Sequence, residues 1–262
     1  MGVGSMSKKI ALITGGSQGI GFETARALLL DGFHVVVNGR DPVKLQAAVL
    51  ALEAYGEISS CVADVGSQDS VPLVSASVPR VDVLINNAGM FKSKSALDLT
   101  DSDWLEMFQV DLLSAVRLTK HYLPQMIERG DGRVVFVSSE SALQIPTEMI
   151  HYGAVKAAQV ASARGYAQVA AGTGVTVNSV LPGPTWTQGV SDFVKSVFKG
   201  ETMSENEMER EFIRRYRPTS LIDRFVQPRE VADLIAFLVS DRAAAITGAG
   251  YRIDGGLVRT AF

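Results

Sequence analysis

Hydrophobic positions in this chain fall into short β-branched runs separated by longer stretches with helical spacing. The runs at 9–14 (KIALIT), 34–38, 58–63, 81–87, 133–139, 175–182 and 250–254 predict seven strands. The stretches at 19–31, 42–55, 68–77, 101–129, 151–172 and 228–240 predict helices between or beyond them. Strands that read as nearly continuous apolar runs and alternate with helices predict the α/β class, with a parallel sheet covered on both faces. Residues 188–217 break the alternation with a long, polar, charged stretch expected to be irregular and to serve as a lid or binding element. Neither a linker nor a repeat interrupts the rest, so one domain is expected.

Composition narrows the class. The chain has 262 residues, 47% hydrophobic and 20% charged, with a formal net charge of -3. That length buries a sizeable core, and the mild acidity argues against a nucleic-acid surface. Cys61 is the only cysteine, so no intrachain disulfide or cysteine-based metal cluster is expected, and no metal site is predicted. Its expected role is that of a small buried apolar residue. The apolar runs are too short to span a membrane, and the N-terminus carries neither a signal-peptide core nor a myristoylation pattern, since Met6 stands where Ser or Thr is required. Residues 1–8 are expected to be disordered or left from an expression tag, with Met6 the natural start, and a cytoplasmic location is expected.

Two motifs carry chemistry. TGGSQGIG (14–21) follows the first strand and opens the first helix. Gly15, Gly19 and Gly21 let the backbone turn tightly and approach a phosphate, to which the helix N-terminus offers free N–H groups and a positive dipole end. The spacing is G-x-x-x-G-x-G rather than the commoner G-x-G-x-x-G. At the end of the second strand an acid would hold the ribose hydroxyls of NAD, and an Arg would accept the 2′-phosphate of NADP. Gly39 and Arg40 stand there, which favours NADP(H) and leaves NAD(H) open. Alternatively Arg40 is a solvated loop residue, paired with Asp41. The second motif is HYGAVKAA (151–158), which puts Tyr152 and Lys156 on one helical face. A phenol titrates near about 10 in water, and a neighbouring cation lowers that value.

With these parts in view the chain resembles the short-chain dehydrogenase/reductase family, in its single-domain branch, over nearly its whole length. TGGSQGIG matches T-G-x-x-x-G-x-G; NNAG (86–89) ends the fourth strand; Ser139 lies thirteen residues before Tyr152; Tyr152 and Lys156 match Y-x-x-x-K; PGPTWT (182–187) matches P-G-x-x-x-T; and ITGAGYRIDGG (246–256) matches the final strand. The resemblance implies a Rossmann-type, doubly wound, seven-stranded sheet. It implies cofactor contacts from Gly15, Ser17, Gln18, Gly19, Ile20 and Gly21 in the loop, Arg40, and Asp64 with Val65 around the adenine. Asn87, Ala88 and Gly89, Tyr152 and Lys156, and Pro182, Gly183 and Thr187 complete that set. It implies catalysis by Tyr152 as proton donor or acceptor, with Lys156 lowering its pKa and Ser139 orienting a carbonyl oxygen. Asp111 stands where the family usually carries an Asn, and is expected to offset part of the lysine's effect and raise the working pH; alternatively it is turned away from the site. The family commonly forms tetramers through the helices at 101–129 and 151–172, so a homotetramer is expected, with a dimer second.

Glu140, Gln144 and Met149 follow the fifth strand and are candidate pocket residues, as are Trp186 and Phe193 in the lid. Arg214, Arg215 and Arg217 are expected to form a solvated face with Glu209 and Glu211. His151 is expected to point away from substrate, and Ser138 and Ser141 to be ordinary strand-end and loop polar residues. The leading expectation is an NADP(H)-dependent oxidoreductase acting on a small-molecule carbonyl or secondary alcohol. A 3-oxoacyl-carrier-protein reductase and a non-catalytic dinucleotide-binding regulator are the alternatives. A two-domain nucleotide-sugar epimerase is disfavoured by the glycine spacing and because no C-terminal substrate domain is expected.

Overall fold

A computed structural model describes residues 8–261. The expectation for the N-terminal segment therefore lies, for residues 1–7, outside the described residues. Seven strands appear in chain order: β1 (Ile10–Thr14), β2 (His34–Gly39), β3 (Ile58–Val62), β4 (Val83–Asn86), β5 (Gly132–Val137), β6 (Val175–Pro182) and β7 (Gly250–Ile253). They form one sheet in the order β3-β2-β1-β4-β5-β6-β7, with every pairing parallel. The helices are α1 (Gly19–Leu30), α2 (Pro42–Leu52), α3 (Ser70–Ser77), α4 (Asp101–Met107), α5 (Ser114–Arg129), α6 (Ile150–Val169), α7 (Gln188–Val197), α8 (Glu205–Tyr216) and α9 (Pro228–Val239). This is the single-domain, doubly wound α/β fold that the strand–helix alternation predicts.

Period-two alternation divides the strand residues between two cores. Leu12, Val36, Leu84, Val134 and Phe136 pack with α3, α5 and α6 on one face, through residues such as Val74, Leu118, Met126 and Ala163. Ala11, Ile13, Val35, Ile85 and Val135 pack with α1, α2 and α9 on the other, through residues such as Leu28, Leu45 and Ile235. Cys61 is buried in the first core, as expected. Burial of both sheet faces is why the strands read as continuous apolar runs rather than as alternating ones.

The structure departs from the sequence reading in two places. The long helix expected over 101–129 contains a π-helical segment, Phe108–Leu113, between α4 and α5. The stretch 188–217, expected to be irregular, holds α7 and α8. Val190, Phe193, Val194, Val197 and Phe198 recur at helical spacing along α7. Buried Val194 and Phe198 join Phe212, Ile213 and Phe225 in a separate apolar cluster. A capping box starts α8: Ser204 accepts from the Glu207 N–H, and the Glu207 carboxylate accepts from the Ser204 N–H. The charged residues that made this stretch look like a loop occupy the outer faces of these helices.

Candidate active site

The strand order reverses between β1 and β4, and the crevice beyond their carboxyl ends is where such sheets bind ligands. The glycine loop lies there. Gly15 and Gly19 adopt φ of 63° and 57°, left-handed values that favour glycine. A Cβ on Gly21 would press on the Gly15 carbonyl oxygen and come within 2.6 Å of the Asn87 amide nitrogen. The loop is braced from β4: Asn87 Nδ2 donates to the carbonyls of Thr14 and Gly15 at 2.9 and 3.1 Å, and the N–H groups of Asn87 and Ala88 donate to Thr14 Oγ1. Gln18 gives α1 no side-chain cap, so its first-turn N–H groups face the crevice uncapped. This is a cradle of the shape and polarity that a pyrophosphate needs.

The rest of the expected cofactor set surrounds that cradle. Arg40 is exposed at the end of β2 and makes no hydrogen bond or ion pair among the described residues. The suggested Arg40–Asp41 pair does not form; Asp41 instead caps α2, accepting from the N–H groups of Val43 and Lys44. Asp64 lies at the exposed rim after β3, next to buried Val65, with its carboxylate accepting from the Gly66 N–H. Ile20, Pro182, Gly183 and Thr187 line the cavity that adjoins the crevice, and Ser17 is half-buried in the loop. Thr187 caps α7 and meets Gly19, so the first lid helix starts against the glycine loop.

The Tyr152–Lys156 pair sits on α6 as its spacing predicts. Lys156 Nζ donates to the Val137 carbonyl at 3.2 Å and lies 3.3 Å from Asp111 Oδ2, so one of its three donors remains for a ligand. It lies 5.5 Å from the centroid of the Tyr152 ring. Asp111, on the π-helical segment, is fully buried, and its other carboxylate oxygen accepts from the Met90 N–H at 2.8 Å. Gln159 of α6 donates to the Asp111 main-chain oxygen. Asp111 thus faces the site rather than turning away. Gly89 borders the same cluster, because a Cβ there would meet Asp111 Oδ2 at 3.2 Å and Lys156 Nζ at 3.4 Å. Ser138 ties α6 to β5 by donating to the Lys156 carbonyl at 2.8 Å, a structural role the sequence did not suggest.

Ser139 is buried at the end of β5, and its Oγ accepts from the Ser141 N–H at 3.1 Å and donates to Glu140 Oε2 at 2.6 Å. Ser139, Glu140 and Tyr152 line one wall of a cavity of about 200 Å³. Phe91, Met149, Phe193, Phe212 and Phe225 make its apolar side. Arg217 also lines it, which corrects the expectation of a solvated arginine face. Its guanidinium lies 3.9 Å from Glu140 and 3.6 Å from Glu148. Arg214 and Arg215 do lie outside, paired with Glu211. Arg217 differs because it follows the last residue of α8, where the chain turns back toward the pocket. Gln144 is exposed and lies outside the cavity, and Trp186 packs against Phe225 at 4.9 Å between centroids. His151 is buried against Trp104, at 6.0 Å between centroids, away from the cavity.

Electrostatics correct one expectation. Lys156 does not hold the Tyr152 phenol below its usual range. Burial pushes the phenol up, and Asp111 and then Glu140 add to that, while Ser139 and Arg217 pull it down. Burial is the main reason, and the two carboxylates add to it; Lys156 lies against one of them, Asp111, at 3.3 Å. Burial likewise pushes the Asp111 carboxyl up, and Lys156 opposes it. A phenol is protonated at neutral pH with or without this shift, so Tyr152 carries a proton to donate, although the shift makes it a weaker acid. Among the described residues no cluster of metal-ligating side chains occurs, and no helix is long and apolar enough to cross a membrane.

Comparisons with known proteins agree with this geometry. The family model for short chain dehydrogenase matches residues 9–196. The chain is 40% identical to the uncharacterized oxidoreductase YvaG of Bacillus subtilis, over 98% of this chain and 99% of that protein. It is 33% identical to a 3-oxoacyl-[acyl-carrier-protein] reductase of Synechocystis, over 97% and 98% of the two. Its fold superposes on the crystal structure of L-sorbose reductase from Gluconobacter frateurii, complexed with NADPH and L-sorbose. The TM-score is 0.91, with 28% identity, covering 97% of this chain and 98% of that one. The chain belongs to the short chain dehydrogenase family, as an NAD(P)-dependent oxidoreductase.

Proposed function

We propose that the chain is an NADP(H)-preferring reductase of small-molecule carbonyls, running in reverse on secondary alcohols. The observation that carries this reading is that Ser139 and Tyr152 line the same cavity as Ile20, of the glycine loop, and Thr187, which meets that loop at Gly19. Arg40, exposed at the end of β2 and unpaired among the described residues, supports the 2′-phosphate preference, as does the NADPH bound to the sorbose reductase.

When bound, the reduced nicotinamide supplies a hydride to the carbonyl carbon. The residues of this chain do the rest. Gly15, Ser17, Gln18, Gly19, Ile20 and Gly21 cradle the pyrophosphate, Asp64 and Val65 border the adenine, and Pro182, Gly183 and Thr187 hold the nicotinamide side. Asn87 and Ala88 act by bracing the loop, with Gly89 against the Lys156 cluster. Lys156 gives its remaining donor to the ribose hydroxyls. Ser139 orients the carbonyl oxygen, and Tyr152 hands its phenolic proton to that oxygen as charge develops there. Helices α7 and α8 close over the cavity as a lid that excludes water.

Oxidation of NADPH followed by absorbance across a panel of ketones and aldehydes tests this reading. Turnover of at least one carbonyl is expected, with NADPH favoured over NADH. Tight NADPH binding with no turnover on any carbonyl would point instead to a dinucleotide-binding regulator. A carrier-bound 3-oxoacyl substrate remains a second reading, favoured by the Synechocystis relative and by the apolar side of the cavity. We also propose a cytoplasmic homotetramer built on α4, α5 and α6, with light scattering after size exclusion as its test; a monomer would reject it.

A further inference from the structure

One carboxylate in the cavity has no part in the chemistry above. Glu140 is 5% exposed, yet it lines the cavity beside the group expected to bind the reacting carbonyl. A buried carboxylate is retained only where hydrogen bonds or opposite charges hold it. Glu140 is held on both sides. Ser139 Oγ donates to Oε2 at 2.6 Å, and the Arg217 guanidinium lies 3.9 Å from Oε1. An ionised carboxylate has about four acceptor positions, so Glu140 keeps acceptor capacity toward the cavity. Burial pushes its carboxyl up, while Ser139 and Arg217 oppose that shift.

We propose that Glu140 is a specificity-determining residue that selects substrates with a hydroxyl on the carbon next to the reacting carbonyl. The Ser139 Oγ and Glu140 Oε2 atoms are one hydrogen-bond length apart. The two oxygens of an α-hydroxy carbonyl have a similar separation. When Ser139 turns its single hydroxyl proton from Glu140 to a substrate carbonyl oxygen, beside Tyr152, it frees Glu140 Oε2, and the neighbouring hydroxyl of an α-hydroxy carbonyl takes its place as donor to that oxygen. The remainder of the substrate lies against Phe91, Met149 and Phe193, so an apolar or aromatic substituent fits the far side. A methyl group in place of the hydroxyl leaves the buried carboxylate facing carbon, and sites built to bind a hydroxyl reject such analogues strongly. Anionic substrates are disfavoured too, because Glu140 and Glu148 already share the single Arg217 guanidinium.

The reaction balances with NADPH as reductant. Its hydride forms the new C–H bond, the carbonyl π bond breaks onto oxygen, and the Tyr152 phenol supplies the proton. The product is a vicinal diol, and solvent restores the phenolic proton. The inference rests on the carbonyl-reductase reading above.

The test compares 2-hydroxyacetophenone with acetophenone, which differ by that one hydroxyl. The wild-type kcat/KM is expected to favour the hydroxyketone by about 10- to 100-fold, the range of one hydrogen bond to a charged group. Glu140→Ala is expected to bring the ratio close to one, whatever its effect on the absolute rate. Glu140→Gln, close in shape and less prone to misfold, is expected to lower the ratio several-fold. Dissociation constants of the two ketones for the NADP⁺-loaded protein are expected to show the same preference and the same loss without turnover. A wild-type ratio near one, or a preference that survives in both variants, overturns the proposal. Reduction of acetophenone or other simple ketones without the preference rejects the role of Glu140 and leaves the reductase reading standing. Failure to reduce any carbonyl rejects both.

Discussion

The Lys156 ammonium and the Asp111 carboxylate lie 3.3 Å apart in the protein interior, with Asp111 fully shielded from solvent. The pair makes the charge beside Tyr152 nearly neutral, where an asparagine at position 111 would leave the lysine's charge unbalanced. Asp111 is, after burial, the largest influence holding the phenol up. Asp111→Asn removes that influence and lowers the phenol pKa. Alcohol oxidation needs the phenolate, so its ascending limb is expected to move to lower pH. Carbonyl reduction needs the phenol, so its descending limb is expected to move the same way. Profiles of kcat/KM against pH in both directions check this, and limbs that stay in place contradict it.

Arg40 is expected to set the preference between the two nicotinamide dinucleotides. Arg40→Ala is predicted to weaken NADPH binding about 10- to 100-fold, the scale of a hydrogen bond between charged groups. NADH binding is predicted to change little, because NADH lacks the 2′-phosphate. Titration of both nucleotides reads the difference directly.

Gly21 faces the Gly15 carbonyl and the Asn87 amide without room for a methyl group. Gly21→Ala is predicted to push these groups apart and spoil the phosphate cradle. For the wild type, NADPH at 100 times Kd stabilises by about 2.7 kcal/mol, or roughly 5–10 °C of Tm for a chain of this size. In Gly21→Ala that ligand-induced rise is predicted to fall below about 2 °C. Thermal melts with and without NADPH measure it.

Phe212 sits inside the lid's own apolar cluster, stacking on Phe225 at 5.6 Å and meeting Phe193 at 6.0 Å. Removing a buried phenyl ring costs about 3–5 kcal/mol where the site cannot collapse. Because the lid cluster is separate from the two sheet cores, the loss in Phe212→Ala is predicted to appear as local opening. Trypsin cleavage within 188–217 is expected to quicken and KM to rise, while the main melting transition shifts less.

The two-sided sheet was legible because burial on both faces leaves continuous apolar strands, as in IALIT of β1 and VTVNSVLP of β6. The Tyr152–Lys156 pair was legible because helix geometry alone places i and i+4 together. The lid helices were missed because polar and charged residues occupy their outer faces, Asp192 and Lys195 on α7 and a run of Glu and Arg on α8, although the apolar spacing from Val190 to Phe198 was there to be read. The role of Arg217 depends on where α8 ends, which no local pattern specifies. The raised phenol of Tyr152 was missed because it depends on burial and on a carboxylate, Asp111, that lies far away in the sequence. A π-helical segment carries Asp111, and nothing local in the sequence marks it.

The most direct test of the central claim is Tyr152→Phe, which deletes the phenolic oxygen and keeps the ring. With a ketone that the wild type reduces, kcat is predicted to fall about 10²- to 10⁴-fold, the range of a lost general acid, while NADPH still binds. A Tyr152→Phe variant that reduces the same ketone at the wild-type rate would contradict the account.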